Sequence, residues 1–300
     1  MKYLKYLKYI VVTFLLINVL VIIGVIIKYN IDLNKYINQE EDKASVINND
    51  STINGTQVYI LGSVHFETEK IKRDDFYHFI NSISPSVILK EGDKKTIASM
   101  LNRTDFFNQV MNTFKKGNEV ETFVALKYIK HHPECEVLPY EWEERDAFHL
   151  KHDLNNKSSE LLNSVSRLES EDLLSDEQSS LVHEFYELNK AYYQISRNAH
   201  DLHDINNEAT DSIIRDRQLY VYKKIPEIAK ERKELEEYKD FIPIHMGYWD
   251  TRNKAMVENI LSQIKLNPNK RIVVLNGYSH RYYLIDKLKK YQEKFNFSIK

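Results

Sequence analysis

Two histidines in this sequence follow the same local pattern, in which a glycine lies three residues earlier and an apolar run comes just before that glycine. The first motif is Gly62-Ser-Val-His65 and the second is Gly277-Tyr-Ser-His280. A glycine lets the chain leave a sheet in a tight turn, and the histidine after it can then point back across the strand ends. Neutral imidazoles bind zinc, manganese, iron or cobalt. The repeated pattern therefore predicts that His65 and His280 share one site, either as metal ligands or as members of a purely polar network.

Two carboxylates are candidates for the same site. A catalytic metal site usually adds a carboxylate to its histidines. Glu91 directly follows the apolar run at residues 86–90, and Glu141 follows a possible strand at residues 136–139. Glu91 is predicted to be the third metal ligand or the general base on a metal-bound water. Glu141 is predicted to orient groups at the same edge. The structural alternative is that both are ordinary solvated loop residues.

The elements that must position these residues alternate between strands and helices. Short apolar runs with flanking glycine or proline predict strands at residues 58–62, 86–90, 136–139 and 271–275. The long block at about 154–239 lacks glycine and has helical spacing, which predicts a helical insertion. The sequence therefore predicts an α/β domain over residues 57–300. We expect a mostly parallel sheet with flanking helices, and ligands beyond the carboxyl ends of its strands.

The N-terminus carries a long apolar stretch. Residues 1–9 form a basic flank with interspersed tyrosines, and residues 10–28 are long enough to cross a bilayer as one helix. A cleaved signal peptide is the alternative, but the stretch ends without the small-x-small pair that a signal peptidase needs. Residues 29–56 are polar and are interpreted as a linker. We therefore expect a single-pass anchor with a cytoplasmic N-terminus and an extracytoplasmic domain.

Composition narrows the class of protein further. The chain has 300 residues, of which 42% are apolar and 29% charged, as in a folded, helix-rich protein. The formal net charge of −2 gives no field that would attract nucleic acid, so no nucleic-acid partner is expected. Cys135 is the only cysteine, which excludes an intramolecular disulfide framework and a cysteine-rich zinc site. Any metal must therefore be held by histidines and carboxylates.

Taken together, these motifs resemble the TraB/PrgY/GumN family and the related Tiki-type membrane-anchored metalloproteases. That family has a Gly-x-x-His motif at each end of its domain, as at His65 and His280 here, and a Glu after the second strand, as at Glu91. An Arg-Asn pair opens a late helix in the family, and Arg252-Asn253 is similar. The resemblance covers residues 57–290. The chain departs from the family at Lys94 and Lys95, where an arginine is common.

The resemblance implies a metal-dependent hydrolase, with peptidase activity known for Tiki-type members. It implies a divalent ion such as manganese, cobalt or zinc, and a peptide or small amide or ester as substrate. Arg252 is expected to bind a substrate carboxylate or an oxyanion, or else to form a surface ion pair with Asp250 or Glu258. Asn253 and Tyr278 are expected to bind or orient substrate. The alternatives are a peptide- or signal-binding protein without turnover, and a metal- or haem-binding protein without hydrolysis.

Overall fold

The fold is taken from a computed structural model, which describes residues 2–39, 54–102 and 120–300. Its centre is a sheet in which all the paired strands are parallel. In the described part of the chain the strands are β1 (Thr56–Ser63), β2 (Val87–Lys90), β3 (Glu136–Pro139), β4 (Arg271–Gly277) and β5 (Phe297–Ile299). Their order is β3-β2-β4-β1-β5. The predicted α/β class with a mostly parallel sheet is confirmed, and β5 is an edge strand that the apolar pattern did not predict.

Helices cover both faces of the sheet, and one helix comes before the first strand. Before β3 these are α1 (Lys2–Ile37), α2 (Arg73–Ile83), α3 (Lys94–Asn102) and α4 (Val120–His131). After β4 the chain forms α12 (Tyr278–Leu288), a 3₁₀ turn (Lys289–Tyr291) and α13 (Gln292–Phe295). His280 therefore lies in the first turn of a helix, although a loop position was expected, because α12 begins directly at the end of β4.

The region between β3 and β4 consists of helices joined by short turns and loops. It contains α5 (Arg145–His152), α6 (Leu154–Ser170), α7 (Asp176–Asn198), α8 (Leu202–Ile205), α9 (Glu208–Leu219), a π-helix (Tyr220–Lys224), α10 (Ile225–Glu231), a 3₁₀ helix (Lys233–Tyr238) and α11 (Ile242–Leu266). Arg252 and Asn253 lie in the middle of α11 and do not open it. The sequence-based expectation was wrong here because Pro243, which suits the first turn of a helix, starts α11 earlier.

The sheet is buried on both faces, as its continuous apolar strands require. Along β4, Ile272 and Val274 pack with Met256 and Ile260 of α11 on one face. Val273 and Leu275 pack on the other face with residues of α2 and α4. Each fully buried aliphatic side chain contributes about 1.5–3 kcal/mol relative to an exposed one. The two faces together fix the register that brings the carboxyl ends of β1, β2 and β4 to one edge.

Helix α1 is long and apolar enough to span a membrane over Ile10–Ile37. It does not end at residue 28, where the sequence predicted a linker to begin. Tyr29, Leu33, Tyr36 and Ile37 form one buried face of the helix and pack on α4. This i, i+4, i+7, i+8 spacing is an apolar stripe that the surrounding Asn, Asp and Lys residues obscure in the sequence. Most of the rest of the predicted linker lies outside the described residues.

The helical insertion has its own buried core, which includes a histidine. His245 of α11 is 1% exposed, its Nε2–H donates to the carbonyl of Val221 at 2.9 Å, and Ser158 Oγ lies 2.9 Å from its Nδ1. Burial lowers the pKa of His245 below its usual 6.5, although the hydrogen bond to Val221 opposes that effect. The folded insertion therefore holds His245 neutral.

We expect this neutral histidine to make the insertion less stable in acid. Below about pH 6.5 the unfolded chain binds a proton at residue 245 and the folded chain does not, so the free energy of unfolding falls as the pH is lowered. His245→Gln should be less stable than the wild type at pH 7.5, yet lose less stability between pH 7.5 and pH 5. Urea denaturation at several pH values checks this, with the exposed His203→Gln as the control. An equal pH dependence in wild type and His245→Gln would contradict it.

Candidate functional site

The chemistry-bearing residues meet at the carboxyl edge of the sheet. His65 follows β1, Glu91 follows β2 and His280 follows β4. The parallel register pairs Ser63 with Gly277 and Lys90 with Leu275, so the three strands end side by side. The structure thus brings together the two histidines and the glutamate that the sequence placed in one site.

His65 is held by a buried carboxylate that sequence reasoning missed. Its Nδ1 lies 2.6 Å from Oε1 of Glu121, the second residue of α4, and the hydroxyl of Ser63 contacts the same oxygen. Glu121 is 2% exposed, whereas the His65 side chain is half exposed. Burial alone would raise the pKa of Glu121, but His65, Lys90 and Ser63 hold it below its usual range. Glu121 therefore fixes the His65 ring through Nδ1, and Nε2 lies next to Gly277 at the end of β4.

The backbone at His65 is in the left-handed region, with φ at 65°. Such a conformation costs a non-glycine residue of order 1 kcal/mol or more and is frequent at functional sites. The carbonyl of His65 accepts the amide hydrogen of Val120 at 3.1 Å, which ties the turn to the start of α4. The turn is thus made at the histidine itself and not at the preceding glycine.

Gly62 lies inside β1, so its predicted role as a turn residue is wrong, whereas Gly277 is the last residue of β4, where the chain passes into α12. A Cβ at Gly277 would lie 2.5 Å from Nε2 of His65, and a Cβ at Gly62 would lie 2.9 Å from the Cα of Tyr278. Gly62 is required because the backbone of Tyr278 approaches it, and the absence of a side chain at Gly277 leaves room for the His65 ring. Tyr278 itself is buried and stacks on Tyr192 of the insertion, with ring centroids 5.4 Å apart, so its ring packs the insertion onto the motif.

His280 is buried, and two residues of α11 orient its ring. Its Nδ1 lies 2.7 Å from Oδ1 of Asn253, whose side-chain amide donates to the carbonyl of Trp249. The Trp249 indole stacks on the imidazole with centroids 4.6 Å apart. Burial and the charge of Arg252 lower the pKa of His280 to about 3, although Glu91 opposes this. A neutral His280 donates from Nδ1 to Asn253 and keeps the lone pair on Nε2. Asn253 is therefore an orienting residue.

Glu91 stands between the two histidines. Its Oε2 accepts the amide hydrogen of Gly277 at 2.7 Å, and its Oε1 accepts from Arg252 at 2.7 Å and lies 3.8 Å from Nε2 of His280. Burial alone would raise its pKa, but His280, Arg252, His65 and the Gly277 amide outweigh burial and hold the pKa below its usual range. Because His280 is neutral, the permanent charge of Arg252 is the main reason that Glu91 stays ionised.

Arg252 lies between Glu91 and a second carboxylate, Glu141. Its Nε donates to Glu141 Oε1 at 3.1 Å, and Arg145 donates to Glu141 Oε2 at 3.2 Å. The Arg252 side chain is 11% exposed and that of Glu141 is fully buried. The expected alternative of a surface pair is wrong, since Asp250 pairs with Lys223 instead. Glu141 balances the guanidinium, which leaves Arg252 free to hold Glu91.

The insertion reaches the site through Asn206. Its Oδ1 accepts the amide hydrogen of Gly62 at 2.6 Å, and its Nδ2 donates to the Gly62 carbonyl at 3.0 Å. Strand β5 pairs only with Thr56, Gln57 and Val58 of β1. Further along β1, the Asn206 side chain makes the hydrogen bonds of the Gly62 backbone instead. Nothing in the sequence marks this asparagine, because its partner is a backbone group 144 residues away.

The donor set of the site fits a divalent metal ion. Both histidines have Nδ1 held by an oxygen, which is the arrangement that presents Nε2 to a metal. Glu91 is ionised beside them. Within the described residues, the group whose potential ligand atoms all lie within 4.8 Å of one another is Asp201, His203 and Asp204, on the surface of the insertion. The donors at the sheet edge are more widely spaced than this, so a metal there requires them to move closer together.

Comparisons with known proteins add no assignment. No protein-family model, no curated protein and no solved structure matches the chain. The resemblance to the TraB/PrgY/GumN and Tiki-type proteins therefore stays a prediction carried by the motif residues. The geometry of the site has to support a function by itself.

Gly277→Ala should displace the His65 ring without unfolding the protein. The backbone of Gly277 suits any residue, with φ at −59°, and the clash falls on the half-exposed His65 side chain, which can move. We expect the His65 imidazole NMR resonances to change, while the free energy of unfolding falls by less than about 1.5 kcal/mol. The control is Gly247→Ala, where an added Cβ meets nothing within 4 Å. Unchanged His65 resonances in Gly277→Ala would contradict the close approach.

Proposed function

We propose that the chain is a membrane-anchored, metal-dependent hydrolase that cleaves a peptide or a related amide or ester bond. The observation that carries the proposal is the convergence of His65, Glu91 and His280 at one sheet edge, with Nδ1 of each histidine held by an oxygen. Their Nε2 atoms and the Glu91 carboxylate would hold the metal. A bound divalent ion would supply a nucleophilic water at neutral pH and polarise the substrate carbonyl.

The protein's own groups have separate tasks in this proposal. Glu121 and Asn253 keep the two imidazoles in one tautomer and one orientation. Glu91 would serve as the carboxylate ligand, and Arg252 keeps this carboxylate ionised and in place. Since Arg252 is enclosed by carboxylates, we infer that it positions Glu91 and does not bind the substrate. This replaces the oxyanion role expected from the sequence.

A cavity lined by Phe66, the residue after His65, suits a substrate of modest size. It has a volume of about 430 Å³ and is lined by Phe66 and the following loop on one side and by the end of α7 on the other. Cavities of this size accommodate small ligands or a few residues of an extended peptide. Lys70 and Arg197 line it with positive charge, and Glu69 adds a negative one. We infer that the part of the substrate next to the scissile bond extends into this cavity.

The anchor and its orientation are also proposals. The basic flank at residues 1–9 precedes the apolar part of α1, which favours a cytoplasmic N-terminus. The domain then lies outside the cytoplasm. A membrane-bound chain is recovered with the membrane fraction after alkaline carbonate washing, and protease added to intact cells cleaves the domain. Release by carbonate would contradict the anchor.

A second candidate function uses no metal, and the contact between His65 and Glu121 favours it. A carboxylate 2.6 Å from one imidazole nitrogen is the arrangement that makes the other nitrogen a general base. Nε2 of His65 would then take a proton from water directly. The two candidates agree on hydrolysis and differ in the need for a metal.

The first experiment measures metal content and hydrolysis together. Full-length protein in detergent is analysed for bound manganese, cobalt and zinc, and is tested on fluorogenic peptides and p-nitrophenyl esters. We expect one ion per chain, lost in both His65→Ala and His280→Ala, and turnover at least about 100-fold lower in both variants. The exposed His78→Ala is the matched control and should keep both properties.

Each other outcome is informative. One such outcome is hydrolysis that depends on His65 and persists after chelation in protein that elemental analysis shows to be free of metal. That result would support His65 as a metal-free general base. Absence of metal after reconstitution, together with no turnover, would contradict both hydrolytic candidates and favour a binding protein.

Glu121→Gln tests the held imidazole. The amide keeps the size of the carboxylate but removes its charge, so His65 is oriented less firmly. We expect metal affinity or turnover to fall about 10–100-fold, the range for groups that orient a metal-binding histidine, while KM changes by less than about threefold. The exposed Glu187→Gln is the control. Glu121→Gln with wild-type turnover and metal content would show that this contact is structural only.

A further inference from the structure

The docked end of α1 indicates which way the site faces. Helix α1 leaves its apolar stretch at Lys28 and continues without a break to Ile37, about 14 Å further along the helix axis. Over this length Tyr29, Leu33 and Tyr36 are each no more than 5% exposed, because they pack on the domain. The domain is therefore held by a continuous helix and not by a flexible tether at this point.

The contacts give the relative direction of α1 and α4. Phe123, in the first turn of α4, contacts both Tyr29 and Tyr36, with ring centroids 5.6 Å and 6.0 Å apart. The Lys127 ammonium group, one turn later in α4, lies 4.6 Å from the centre of the Tyr36 ring. The chain direction from Tyr29 to Tyr36 in α1 is therefore the same as the direction from the first to the second turn of α4. The two helices run in the same sense, so the first turn of α4 lies on the side of α1 that leads to the membrane.

The first turn of α4 is also where Glu121 holds His65. The carboxyl edge of the sheet, with the site, is consequently on the membrane side of the domain, and the amino edge is about 23 Å further away, the length of a seven-residue strand. One exposed residue at the carboxyl edge suits this position. The Phe66 side chain is 42% exposed, and a lipid surface would accept this apolar group.

We propose that the site faces the bilayer and that its substrate is a membrane-anchored polypeptide, cut in the segment next to the membrane. This inference rests on the proposed function for the cleavage step and on α1 crossing the membrane. The docked helix fixes the height of His65 above the lipid, so a bond on a freely diffusing peptide has no advantage at this site. A bond on a chain that is itself anchored is held at the matching height.

Energy transfer tests the orientation without any need for activity. Phe66→Cys at the carboxyl edge and Leu266→Cys at the amino edge each receive a fluorescent donor in the full-length chain. Both native side chains are exposed and apolar, and the native Cys135 is buried. The protein is reconstituted in phosphatidylcholine and phosphatidylglycerol vesicles that contain a headgroup-labelled acceptor lipid. Transfer from position 66 should exceed transfer from position 266 at least about threefold, given their separation along the strands. Equal transfer, or more transfer from position 266, would overturn the inference.

Cleavage in the same vesicles tests the substrate class. A fluorogenic peptide with an N-terminal palmitoyl chain should be cleaved at least about tenfold faster than the same peptide without it. Leu33→Asp should release α1 from α4 and reduce this preference to less than about twofold, with cleavage of the free peptide little changed. Leu33→Ala is the milder variant if Leu33→Asp folds poorly. Ile31→Asp, at a position 59% exposed on the same helix, is the control and should keep the preference.

The outcomes separate the two proposals. The Leu33→Asp chain is anchored like the wild type, so a loss of preference reports the docked orientation and not the local peptide concentration. A wild-type preference that persists in Leu33→Asp would overturn the role of docking. Absence of cleavage in every arm, or equal cleavage by His65→Ala, would count against the hydrolase, while the energy-transfer result would still decide which edge faces the lipid.

Discussion

The buried guanidinium of Arg252 imposes a requirement that organises the site. A charge removed from water needs carboxylates around it, and breaking such a buried pair by removing one partner typically costs 3–5 kcal/mol. Glu141 supplies one partner from the loop after β3, and Glu91 supplies the other from the end of β2. The position of Glu91 is thereby fixed relative to α11, which also carries Asn253 and orients His280. One ion-pair network couples three strand ends to the helix that crosses them.

The helical insertion contributes more than a cover for the sheet. Asn206 satisfies the backbone of Gly62, and Tyr192 stacks on Tyr278 next to Gly277. The insertion thus contacts both Gly-x-x-His motifs from the same side. A change in the packing of α7 or α8 would reach His65 and His280 together, because both motifs depend on these contacts for their backbone positions.

The strands that form the site, and the residues that end them, are predictable from the sequence. Apolar runs and glycines are local signals, so they are enough to place His65, Glu91 and His280 at one edge of a sheet. Glu121, Asn206 and the pairing of Arg252 are not predictable in this way, because their partners lie 56 to 161 residues away and their identity depends on how the helices pack. The misassigned role of Gly62 has the same origin. A glycine required for close approach and a glycine required for a turn look alike in sequence.

The aromatic rings that stack next to His280 give the protein an intrinsic fluorescent reporter. The chain has two tryptophans. Trp249 lies between the rings of His280 and Tyr222, and the backbone amide of Trp142 donates to Glu141. The Trp249 indole therefore lies against His280, and Trp142 is joined to the charged network through its backbone, both far from α1 in the sequence. Their emission should respond to protonation, ion binding or rearrangement at this edge of the sheet, and events in the apolar helix should be visible in it only when they are transmitted through the domain.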